Sequence, residues 1–163
     1  MDTHGFAPDK LRAFPTLLNV FVFRIVARDT SGDFRIGHAG LWAPRPIHWH
    51  ALSAERDPLI DKAVTSEKGR IYAWFSDGFM RPTVEPAPNG TIVHLSDLRY
   101  GSVQEPTRSL WGAEALFDAQ GTLTSVNLGD REGRMDIPGE LQALWGLFVG
   151  EPEDRGTEAS PSP

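Results

Sequence analysis

Asp97 and Arg99, in the stretch IVHLSDLRYG, place an acid and a base two residues apart at the end of an apolar run. On a strand, residues two apart share a face, so both charges would stand beside Val93 and Leu95. A catalytic pair, a ligand clamp and an internal ion pair all fit that spacing. Arg24, inside the run LLNVFVFRIVA, is the second unusual charge. With apolar residues on both faces of its strand, its guanidinium needs a partner, and Asp97 is the candidate. The expected arrangement is an Arg24–Asp97 ion pair across or near the sheet, with Arg99 at the rim and open to solvent or a ligand. The competing reading is a solvated strand end. Arg24, Asp97, Arg99 and His38 are the candidate catalytic groups, and Arg24, Asp97, Arg99 and Tyr100 the candidate ligand contacts.

The histidines raise a metal reading. PIHWHAL puts His48 and His50 on one face of an extended segment, a spacing at which imidazole pairs bind zinc. Two ligands do not make a site, and a third would have to come from His38, His94 or a carboxylate. The plainer reading is an exposed segment after a proline turn with Trp49 packed inward, so neither a metal nor another cofactor is expected in this chain. His38 follows Phe34 and Ile36 on an apolar stripe and reads as a core or rim residue, and His94 lies on the opposite strand face from Asp97. Ser76, in FSDGF, reads as a helix end turning into a strand rather than as a nucleophile. The sequence contains no GxSxG elbow, phosphate-binding GxxxxGK[ST] loop or HExxH helix. It also has no cysteine, which excludes disulfides and thiolate metal sites. Its five tryptophans suit a core, and a curved sheet lined by several of them could hold an apolar ligand.

The elements that must position these residues are legible from pattern. Residues 17–28, dense in Val, Phe and Ile, suit a central strand covered on both faces. DTSGD reads as a hairpin turn with Gly32 free to take positive φ, and residues 34–42 alternate as the next strand. Asp57 and Pro58 read as the cap and first residue of a helix whose stripe is Leu59, Ile60, Ala63 and Val64, with more helix through Ile71 and Phe75. Strands are expected at 79–84, 91–100, 110–117 and 123–128. A last helix starts at Pro138, carries Leu141, Leu144, Trp145 and Phe148 at helical spacing, and stops at Gly150. The hairpin-length connections point to an α+β fold, an antiparallel sheet of about six strands with a central helical segment and a C-terminal helix packed on it.

At 163 residues the chain fits one domain with a real core. The expected division is a loose N-terminal arm at 1–13, a single domain at 14–150 and a disordered acidic Pro/Ser-rich tail at 151–163. A net charge of −6 without a basic stripe makes nucleic acid an unexpected partner. There is no signal-peptide pattern, and no apolar run reaches the ~18 residues of a membrane span, so a cytoplasmic location is expected.

Four segments in order, FPTLLNVFVFRIVARD, WFSDGFM, VHLSDLRYG and LQALWGLFVG, give the chain a resemblance. Across residues 14–150 it resembles the C-terminal soluble region of the bacterial membrane-bound metal-dependent hydrolase family, inner-membrane hydrolase-like proteins under DNA-damage (LexA) control. Pro15, Thr16, Asn19 and Arg24 match that family's first motif, with Phe23 where the family has Trp. Phe75, Ser76, Gly78 and Phe79 match the second motif, and Asp97, Leu98, Arg99, Tyr100 and Gly101 the third. The resemblance implies hydrolase membership for the family and a divalent metal only in its multi-helix membrane domain, which carries the His- and Asp-bearing motifs and has no counterpart here. For this chain it implies a cytosolic appendage, peripheral to the inner membrane. Such an appendage would be a regulatory or ligand-binding module with a membrane-embedded partner protein and a small-molecule ligand. The alternative is a free-standing hydrolase whose sheet cavity gathers Arg24, Asp97, Arg99 and a histidine.

Overall fold

The structure, a computed structural model, describes residues 6–16, 20–42, 45–130 and 136–150. It is α+β and mostly sheet, with two four-stranded antiparallel sheets and three helices. The first sheet has the order β1 (Pro8–Pro15), β2 (Val22–Asp29), β3 (Phe34–Gly40), β4 (His50–Leu52). Helices α1 (Pro58–Thr65) and α2 (Glu67–Phe75) follow. The second sheet is β5 (Met80–Ala87), β6 (Gly90–Asp97), β7 (Trp111–Asp118), β8 (Leu123–Asp130), and α3 (Ile137–Val149) closes the chain's described part.

Two expectations are corrected. The single sheet of about six strands is instead two sheets of four. The stretch 8–13, read as part of a loose arm, belongs to β1, which pairs with β2 from Pro8↔Asp29 to Pro15↔Phe23. Its side chains are mostly exposed, as an edge strand's are, with Lys10 and Arg12 to discourage further pairing. Residues 1–5 and the expected tail at 151–163 lie outside the described residues.

The two sheets approach at β4 and β5 without joining. Arg81 donates to the Ser53 carbonyl at 3.4 Å, and the Val84 N–H to the Glu55 carboxylate at 3.1 Å. Pro82 and Pro86 share the parity of Val84 and have no N–H to offer. From Pro82 onward the outward edge of β5 therefore has its donors removed or occupied, which discourages the ladder from continuing there.

Each sheet buries one face. Val93 and Leu95 on β6, Ala113, Ala115 and Phe117 on β7 and Val126 on β8 pack against Ile60 and Ala63 of α1 and Tyr72 of α2. Asp57 caps α1, accepting from the Leu59 N–H at 2.7 Å, as its sequence suggests. On the first sheet Val26, Phe34 and Ile36 meet Phe79 and Leu98, the residues that flank β5 and β6. Leu144 of α3 packs on Val22 and Val103. Phe79 and Leu98 thus tie the two halves, and the charged residues singled out above surround that junction.

Candidate functional site

β6 stops at Asp97, so Arg99 lies in the turn rather than on the strand. The turn folds it back onto the same carboxylate. Its Nε lies 2.9 and 3.1 Å from the two Asp97 oxygens and its Nη2 2.6 Å from Oδ2, while its backbone N–H donates to Oδ1 at 3.1 Å. Asp97 is fully buried and Arg99 nearly so. The Arg99 guanidinium stands 4.7 Å from the centre of the Phe75 ring and 5.3 Å from that of Tyr100, a cation framed by two aromatic faces. Hydrogen bonding to Asp97 raises the Arg99 pKa above its ordinary value. Beside this pair lies the enclosed Tyr72 hydroxyl, next to the Asp97 backbone. Burial, then the Asp97 charge, pushes its pKa up, which keeps the phenol neutral.

Arg24 does not pair with Asp97. It projects from β2 into the inside of the β6–β7 loop, residues 98–110, where it is 1% exposed. Its Nε donates to the Leu98 carbonyl at 2.7 Å, Nη2 to that of Pro106 at 2.7 Å and Nη1 to that of Ser102 at 3.4 Å. Burial lowers its pKa to about 10, against the opposing pull of Asp97 and Glu140, so it stays protonated at neutral pH. The expected ion pair fails for a geometric reason. Asp97 is taken by the arginine two residues along the chain, and the loop offers Arg24 three carbonyls. Gly101 is part of the same device. A Cβ there would sit 2.6 Å from the Arg24 Cζ and 2.5 Å from the Arg108 carbonyl, so only glycine lets the guanidinium lie this close to the backbone.

Glu140, in the first turn of α3, holds the loop from the other side and was not among the expected residues. Its carboxylate accepts from the Ser102 hydroxyl, from the Val103 N–H at 2.8 Å and from the Gln104 N–H at 3.3 Å. Ser109, 1% exposed, closes the loop's base, its hydroxyl 2.5 Å from the Asp97 carbonyl and 2.8 Å from that of Trp111. One signal for Glu140 exists in the sequence. It is the sole charge in IPGELQALWGLFV, four residues before Leu144 and hence on the buried stripe.

The remaining candidates scatter. His38 stands opposite Arg24 in the β2–β3 register, partly buried, with Nε2 enclosed and without a hydrogen-bond partner among the described residues. Burial, then Arg24 and His50, lowers its pKa from the usual 6.5 to about 3. His48 and His50 do come together, ring centres 4.8 Å apart, on either side of the start of β4. Among the described residues no group of three or more His, Cys, Asp or Glu could hold a metal ion. His94 lies on the other face of β6, Nε2 2.9 Å from Glu85 and Nδ1 3.2 Å from Glu114. Ser76 ends α2 and donates to the Ala73 carbonyl at 3.0 Å. A cavity of about 370 Å³ lies elsewhere, between Phe6, the β2–β3 turn and β4, and none of these side chains lines it.

The segments that carry the family resemblance converge on this junction. Arg24 and Gly101 touch, Phe75 faces Arg99, and Phe79 packs with Leu98. Asn19 lies outside the described residues. No helix among them is long and apolar enough to cross a membrane. Against models of protein families, curated proteins and solved structures, the chain has no match.

His38 makes a testable contribution to pH dependence. Its folded pKa is depressed, so below about 6.5 the unfolded chain takes up a proton that the folded chain refuses until about 3. Stability is therefore expected to fall with pH across that window, by up to ~1.4 kcal/mol per pH unit from this group alone. Urea melts between neutral and acid pH measure it. The slope should flatten in His38→Leu, and an unchanged slope would assign it to the carboxylates instead.

Proposed function

We propose that this chain is a non-catalytic regulatory or ligand-binding domain, related to the cytosolic part of the hydrolase-like proteins it resembles. It works from the cytoplasmic side of the inner membrane beside a membrane-embedded partner protein. The observation that supports this reading is the commitment of the charged groups. A general acid, base or nucleophile must exchange a proton or a partner during turnover. Arg24 gives its donors to three carbonyls, both oxygens of Asp97 are held by Arg99, and Glu140 is held by loop donors. These interactions fix a loop rather than open a reaction space. What the loop carries at its start is Arg99 between Phe75 and Tyr100, a cation with two flanking rings. With the Arg99 charge met by Asp97, that set suits a small ligand whose flat apolar portion lies against the rings.

The test is turnover. Purified protein supplied with Mg²⁺, Mn²⁺ or Zn²⁺ is expected to leave chromogenic phosphate esters and carboxyl esters unhydrolysed above the buffer rate. Hydrolysis that vanishes in Arg99→Ala or Asp97→Asn, while the variant still melts cooperatively, would replace this reading with the free-standing hydrolase built on Arg24, Asp97, Arg99 and a histidine.

A further inference from the structure

α3 is apolar on both sides. Leu144, Ala143 and Leu147 face the body of the protein, as a docked helix requires. The opposite side carries Ile137, Leu141, Trp145 and Val149 at intervals of four, each between 43 and 60% exposed. The helix has no lysine or arginine, and its sole charge, Glu140, is buried beneath it. A helix that faces water normally has a polar side, and here Gln142 is the sole exposed polar side chain among four large apolar ones.

The exposed stripe continues onto the first sheet. The Trp145 ring lies 5.6 Å from that of Phe148, which lies 5.6 Å from Phe21 and 6.4 Å from Trp42. Trp42 is 75% exposed. Contact is close here, since a Cβ on Gly40 at the end of β3 would lie 2.5 Å from the Leu147 carbonyl. Stripe and rings therefore form one continuous surface rather than scattered apolar residues.

We infer that this surface is a two-fold interface with a second copy of the chain, in which α3 packs antiparallel against the α3 of the other copy. Area and charge support that occupant. The four stripe residues with Phe21 and Trp42 expose roughly 700 Å² of apolar surface, close to the ~800 Å² that each partner contributes to a standard interface. None of these six side chains carries a charge, so none has to be desolvated as an ion when two copies meet. A two-fold axis across the stripe sets Ile137 and Leu141 of one copy against Val149 and Trp145 of the other, each apolar residue meeting another. A lipid surface is the weaker fit, because helices that lie in a bilayer interface bear lysines and arginines on their polar side. This interface is independent of the ligand reading at Arg99.

Sedimentation equilibrium over a micromolar concentration series tests it. The full chain should show a monomer–dimer equilibrium, and Trp145→Glu should weaken it by at least about 100-fold while the melting temperature holds. A second readout does not depend on that variant folding. The chain has no cysteine, so Gln142→Cys, near the middle of the exposed side, offers a single thiol per copy. Oxidation should give a covalent dimer, whereas Arg70→Cys, exposed on α2, should not. A chain that stays monomeric throughout the series overturns the inference. So does unchanged association of Trp145→Glu, or a monomeric chain that instead sediments with phosphatidylcholine vesicles.

Discussion

Arg24→Met is expected to destabilise the protein by on the order of 4 kcal/mol, seen as a large drop in the urea midpoint with little change in slope. Methionine fills part of the volume but donates nothing. The carbonyls of Leu98, Ser102 and Pro106 would be left without the donor around which the loop is wrapped. Each unsatisfied buried acceptor costs about 1–3 kcal/mol, reduced by whatever water enters. A total stability of roughly 5–15 kcal/mol makes such a loss severe. Arg24→Lys should recover only a small part, because an ammonium on a longer stem cannot reproduce a planar fork aimed at three separate oxygens. A midpoint near that of the parent would mean the guanidinium contributes little and the loop stands without it.

Glu140→Leu should cost about 3 kcal/mol and act on a different part of the loop. It leaves the Ser102 hydroxyl and the N–H groups of Val103 and Gln104 without their acceptor and loosens the first turn of α3. Hydrogen exchange separates the two cases. Glu140→Leu should speed exchange at Val103 and through α3 while β5–β8 stays protected. Unaltered exchange at Val103 would show that its N–H is held by something other than Glu140. Leucine is the stricter choice over glutamine, whose amide oxygen can still accept one of these bonds.

How far the sequence reached can be argued from these residues. That Arg24 is buried and needs partners follows from its apolar strand, and this held. Which partners it finds did not follow, because they are main-chain carbonyls, and carbonyls leave no mark on a sequence. The Asp97–Arg99 spacing was read as strand alternation, but a turn brings the pair together. The helices and the β2–β3 hairpin carried their own signals: Asp57 with Pro58 at the start of α1, Gly150 at φ 82° at the end of α3, Gly32 at φ 90° in the turn. β1 was missed because PDKLRAFP has two prolines and three charges. Its strand state comes from pairing with β2 rather than from its own propensity. The three residues of β4 are too few to show a period. The break between the sheets is helped by Glu55 taking the Val84 N–H, a contact 29 residues along the chain that local pattern does not encode.

The topology also bears on how the chain reaches its native state. Every strand pairs only with its neighbours in sequence, so each four-stranded meander can zip from its own turns with short loops to close. The grip of Arg24 on the loop is different, because it spans 74 to 82 residues and requires both meanders to be in place first. A grip that needs both meanders in place is expected to form after the rate-limiting barrier, with a φ-value near zero. The energy lost in Arg24→Met should therefore appear as faster unfolding with a nearly unchanged refolding rate. The buried arginine then serves the lifetime of the assembled protein more than the speed of its assembly.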